Sequence, residues 1–255
     1  MRKTFSNRTQ AAAFTLVEVL AVVLVVALLL TLTMHGLSRS RVAGRETVSL
    51  SNLRQHAANF TSYTSDSGGF FPWFTDPERA VNVCNPARAV CAELRYWHAC
   101  DRWNIPFASA YYSGNHLDPS FYPPGFVDEE WQGFTPNITR YLYSYTFLSD
   151  WRFWDPAQRL EDKSQWRATK AAEVKFASSK TLLTCSYPLG YEEGAGQWNS
   201  SREAYLMGFV DGHAESVSVN RLTRPYRGSA WPGGMSWLTI PGMTTQLGVR
   251  GRDVE

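Results

Sequence analysis

The sequence predicts an α+β fold in which one long N-terminal α-helix packs on an antiparallel β-sheet that carries loop-rich insertions. Three observations predict it. An apolar run near the N-terminus passes into a stretch whose apolar residues recur every three or four positions, which is the period of a helix face. Farther on, period-two runs appear at Tyr141–Thr146 and on both sides of Asp211-Gly212, which is the pattern of half-buried strands. Between these blocks, prolines at 72, 77, 86, 106, 119, 123, 124 and 136 interrupt every apolar run, which leaves room only for short elements.

The helix comes first. From Phe14 to Leu32 there are nineteen residues, and only Thr15, Glu18 and Thr31 are not apolar. At ~1.5 Å per residue the span 14–34 would be a rod of ~32 Å, enough for a hydrocarbon core of ~30 Å, so a transmembrane helix is predicted over 14–34. An amphipathic continuation is predicted over 35–64, with Val42, Val48, Leu53, Ala57, Phe60 and Tyr63 on one face. Gly68-Gly69 ends it and Pro72 prevents its resumption. A leader over 1–13 precedes it, basic through Arg2, Lys3 and Arg8. Ala11 to Ala13 lie before the apolar run, the reverse of a secretory signal peptide, in which small residues follow it. Glu18 sits five residues into the span, where a carboxylate needs a partner.

Residues 13 to 20, Ala-Phe-Thr-Leu-Val-Glu-Val-Leu, resemble the cleavage and methylation motif of type IV prepilins and type II secretion pseudopilins. The resemblance implies a pilin-like fold, cleavage by prepilin peptidase between Ala13 and Phe14, N-methylation of Phe14, and pairing of Glu18 with the terminal amine of a neighbouring subunit. It also implies the partners: other pilin or pseudopilin subunits, an assembly platform and ATPase, and the membrane. The family usually has Gly where this chain has Ala13. Two further stretches resemble the pilin-like proteins of planctomycetes and verrucomicrobia. One is Asn52-Leu53-Arg54-Gln55 through Tyr63, followed by Asp66 to Pro72. The other is Phe209-Val210-Asp211-Gly212-His213, similar to a C-terminal motif written as His, nine residues, Asp-Gly. Here the position ten before Asp211 is Ser201, so that match is partial.

The remaining 65–255 are predicted to be one extracytoplasmic head. Residues 72–136 read as a loop-rich insertion with short strands or a short helix near 88–96. Ile138 onward reads as strand, the segment after Pro156 as a helix, and Thr181–Cys185 as the next strand. Ala204–Val219 reads as a β-hairpin with a two-residue turn at Asp211-Gly212 and with His213 beside it. The tail from Arg221 reads as irregular surface wrap ending on exposed charge at Arg250, Arg252, Asp253 and Glu255.

Composition narrows the function. The net charge of +2 without a basic, aromatic-interleaved patch argues against nucleic acid as a partner. No phosphate loop, Gly-x-Ser-x-Gly elbow or HExxH appears, so neither an enzyme nor a cofactor is expected. Cys84, Cys91, Cys100 and Cys185 are candidates for disulfides in an oxidising compartment, and four cysteines allow three full pairings. A metal site using Cys91, His98 and Cys100 lacks zinc-finger spacing, and none is expected. Ten tryptophans read first as core and loop packing and second as a carbohydrate-binding face.

Two functions follow as expectations. The first is a structural subunit of a type IV pilus-like or type II secretion pseudopilus filament, single-pass in the inner membrane with its head in the periplasm. The alternative is a membrane-anchored binding module, aromatic-rich and directed at polysaccharide, that does not polymerise.

Overall fold

The computed structural model describes residues 15–73, 75–85, 90–125, 139–186, 204–226 and 241–255, without the side chains of 32–36, 38–39, 84–85 and 90–92. The leader, Ala13 and Phe14, the acidic triplet 128–130, Ser201 and the tail segment 231–234 lie outside the described residues. Two compact units are present, Met1–Ala43 and Gly44–Glu255. One helix, α1, runs from Leu16 to Asp66 and has residues in both.

The first unit corrects the predicted transmembrane span. No helix among the described residues is long and apolar enough to cross a membrane. Among the described side chains the apolar run of α1 extends from Leu16 to Leu30 and is interrupted by Glu18, which gives about 22 Å of rise against ~30 Å of hydrocarbon. The single-pass inner-membrane placement loses its structural basis with that span.

The second unit is α+β. Strands β3 (Tyr141–Tyr143), β4 (Thr181–Cys185), β5 (Ala204–Phe209) and β6 (Ala214–Ser218) form an antiparallel sheet in the order β3-β4-β5-β6. A separate antiparallel pair is made by β1 (Val81–Asn85) and β2 (Val90–Leu94). After it come the short helices α2 (Ala99–Arg102) and α3 (Asn104–Tyr111), which the Pro-rich reading of this insertion did not anticipate.

One sheet face receives the C-terminal half of α1. Ser49, Leu53, His56, Ala57, Phe60 and Thr64 are buried, at steps of three and four that trace one helical stripe. Val42 and Val48, expected on this face, are exposed instead, and the polar Ser49 and His56 take the inward positions. The helix comes close to β5 where side chains are smallest: a Cβ on Gly208 would lie 3.4 Å from the Leu53 carbonyl oxygen. The opposite face alternates in phase. Tyr205, Met207, Phe209 and Val217 are buried there with Val254, so successive β5 residues serve two layers.

The aromatic residues are chiefly core. Phe60, Trp103 and Phe107 pack edge-on and stacked at centroid distances of 4.7–5.6 Å. The Trp103 indole N–H donates to the Tyr141 carbonyl at 2.7 Å, which ties the insertion to β3.

Two further expectations are corrected. The segment after Pro156 forms no α-helix. It is a chain of 3-10 turns at Lys163–Gln165, Ala171–Glu173 and Ala177–Ser179, because Asp155 and Asp162 side chains bond backbone N–H groups two residues on and divert the local hydrogen bonds. The described end of the tail, 241–255, is only partly surface wrap: Met243, Thr244, Thr245, Val249, Asp253 and Val254 are buried, while Arg250, Arg252 and Glu255 are exposed as expected. Asp253, expected as exposed charge, pairs with the fully buried Lys180, Oδ2 to Nζ 3.0 Å.

Candidate functional site: the N-terminal helix and the Asp-Gly hairpin

Each expected site residue is placed by its own element. Glu18 lies in the first turn of α1, and Thr15 precedes that helix. The Thr15 backbone N–H and hydroxyl both donate to Glu18 Oε2 at 2.8 Å, and the Glu18 N–H donates to Thr15 Oγ1 at 3.3 Å. This is a reciprocal capping box, Thr-x-x-Glu, which satisfies backbone donors that the first turn of a helix leaves open. A negative charge is also favoured at that end of the helix dipole. The partner that Glu18 requires is therefore supplied within its own chain. The signal was in the sequence, Thr15-Leu16-Val17-Glu18, and the reading of Glu18 as an acid in an apolar span passed over it.

Beyond the cap, twelve Leu and Val side chains between Leu16 and Leu30 are 47–83% exposed. They do not form a stripe. Val22, Val23, Leu24 and Val25 are consecutive and all exposed, and four positions spaced by ~100° reach every side of the helix. A helix that is apolar all round is stable in water only when something covers it. Covering twelve such side chains is worth on the order of 20–35 kcal/mol as an upper bound.

The hairpin is present but its turn is longer than expected. The Phe209 N–H donates to the His213 carbonyl at 2.9 Å, and the Gly212 N–H to the Phe209 carbonyl at 3.0 Å. Three residues, Val210 to Gly212, thus form the loop. Gly212 adopts φ +92°, the left-handed position that follows the turn in three-residue hairpins. The Asp211 carboxylate bonds both the His213 ring, Oδ1 to Nδ1 2.5 Å, and the His213 N–H at 3.2 Å. The His213 ring stacks on Phe209 with centroids 4.2 Å apart and planes within 2°. These contacts close the turn, and the Asp211 N–H donates to the Ala177 carbonyl at 3.4 Å, so Asp211 and His213 act here as a structural clasp. Among the described residues, no group of three His, Cys, Asp or Glu side chains is placed to hold a metal ion.

The cysteines divide into two sets. Cys84 and Cys91 are register partners across β1 and β2. Their side chains lie outside the described set. Cys100 is a buried free thiol, and burial together with the neighbouring Asp101 carboxylate pushes its pKa well up, which keeps it protonated and inert. Cys185 is buried at the end of β4.

One buried polar site was not foreseen. His56, on the inward stripe of α1, has Nδ1 2.5 Å from the Tyr112 hydroxyl and Nε2 2.8 Å from the Ser120 carbonyl oxygen. Desolvation holds its pKa down at about 4 against the pull of that carbonyl and of Asp118. Its ring is thus neutral at pH 7, and with its two bonds it locks α1 to the insertion.

No family model matches the chain, and neither a curated protein nor a solved structure does.

Proposed function

We propose that the chain is a structural subunit of a filament of the type IV pilus or type II secretion pseudopilus kind. The observation that carries this reading is the helix 16–30, apolar on every side and exposed. A single partner groove would cover one stripe of such a helix. Copies of the same helix, packed side by side in a filament core, cover all of it. Processing by prepilin peptidase between Ala13 and Phe14 would set an N-methylated Phe14 directly before the Thr15 cap, and an assembly platform with its ATPase would supply the energy of insertion. The head, exported to the periplasm, would form the outer surface of the polymer.

The test is the N-terminal residue of the mature protein, read by mass spectrometry from the native host. A start at N-methylated Phe14 supports assembly. A chain still beginning at Met1 would overturn it and leave the non-polymerising binding module as the better account.

A further inference from the structure

A cavity of about 590 Å³ lies beside the β1–β2 pair, walled by residues 77–80, by Glu93 and residues 95–98, and by Lys163 and Trp166. Its size is that of a small-ligand site. The aromatic part is held firmly: Trp166 stacks on Tyr96 at 6.0 Å and 17°, and meets Trp97 edge-on at 5.1 Å. His98 lines the cavity as a neutral donor. His98 Nδ1 accepts the Arg95 N–H at 2.9 Å, which places the ring proton on Nε2.

The charges around this floor are mixed and nearly balanced. Lys163 pairs with Glu78 at 2.9 Å and Arg95 with Glu93 at 2.9 Å. Arg79 is the lining cation without a carboxylate within salt-bridge distance among the described residues. The site therefore offers one surplus positive charge, several donors, and two carboxylates able to accept. A multiply charged phosphate is disfavoured by Glu78 and Glu93. An apolar peptide finds too much charge in the walls. A ring that carries hydroxyls and one carboxylate meets all of these groups: its hydroxyls donate to the two carboxylates and accept from His98 and Lys163, while its carboxylate takes the planar fork of Arg79.

We propose that this cavity binds an acidic saccharide through one uronic-acid residue, with Arg79 as its anion contact. The binding is independent of filament assembly. The test is titration of the full-length chain with trigalacturonate, followed by tryptophan fluorescence. Neutral galactotriose and inorganic phosphate serve as comparison probes. The expected result is saturable binding of trigalacturonate, at least tenfold weaker binding of galactotriose and phosphate, and a loss of about tenfold in Arg79→Ala with the thermal midpoint unchanged. Absence of saturation, equal affinity for the neutral sugar, phosphate binding as tight as the uronide, or an Arg79→Ala variant that binds like the parent would each overturn the proposal.

Discussion

At the scale of single residues, Glu18 has two separable duties: it caps its own helix, and in the proposed filament its charge meets a neighbour's amine. A Gln at the third helical position can still reach back to the cap. Glu18→Gln should therefore keep the start of α1 while removing the charge, whereas Glu18→Ala loses both. If charge drives assembly, both variants fail to enter filaments. Filament yield from Glu18→Gln equal to that of the parent would reduce the glutamate to a capping residue. His56 makes a different prediction, because its neutral form is the folded form. The unfolded ring titrates near 6.5 and the folded ring at about 4, so the unfolded state binds more protons between these values. Stability is then fully present above pH ~6.5 and falls as the pH drops toward 4, by up to ~3 kcal/mol. Burial and the cations Arg102 and Arg95 likewise depress His98 to about 4, in the same direction. Urea unfolding at pH 7 and pH 5 should show a drop of about 2 kcal/mol for His56 alone. An unchanged midpoint would mean that His56 is solvated rather than sealed.

Elements governed by local chemistry could be read from the sequence, and elements governed by distant contacts could not. The 3.6-residue period located the C-terminal part of α1, and Asp211-Gly212 located the β5–β6 turn, though not its third residue. The inward position of His56 was unreadable because its two partners, Tyr112 and Ser120, are 56 and 64 residues away. The 3-10 chain after Pro156 had a local signal in Asp155 and Asp162, whose side chains bond backbone N–H groups two residues on, but its anchoring did not: Arg167 reaches back to Asp150 at 2.8 Å and forward to Glu173 at 2.7 Å. The apolar run at 14–34 reads as a membrane span, yet no helix among the described residues is long and apolar enough to cross a membrane. The cavity joins segments some 85 residues apart, and no spacing in the chain announces it. Between elements, the close approach of α1 to β5 rests on Gly208. Gly208→Ala meets Leu53 at ordinary contact distance, so thermal denaturation should register little change. Gly208→Val adds two methyls against the helix and should cost ~1–3 kcal/mol by overpacking. A Val variant as stable as the parent would mean that the helix rides freely over the sheet.

Across the whole second unit, closure depends on the last residues of the chain. Lys180 stands at the entrance to β4, and its ammonium donates to the Thr245 hydroxyl at 2.8 Å beside its pairing with Asp253. Asp253 also accepts the Thr181 N–H at 2.9 Å and the Thr245 hydroxyl. One carboxylate thus holds together the strand, the tail and a buried cation. Burial pushes the Lys180 pKa down while Asp253 opposes that fall, so the pair is stable only as a pair. Asp253→Ala would leave a buried ammonium with one hydroxyl for company, and should cost ~3–5 kcal/mol; Lys180→Met, which leaves the buried carboxylate without its cation, should cost a similar amount. The double variant Lys180→Met, Asp253→Leu removes both charges and fills the space with apolar atoms, so its loss should be much smaller than the sum of the single losses. Denaturant unfolding of the three variants measures that coupling. Additive losses would show that the tail is held by Val254 and its apolar neighbours alone, and that the buried ion pair contributes nothing to closing the head.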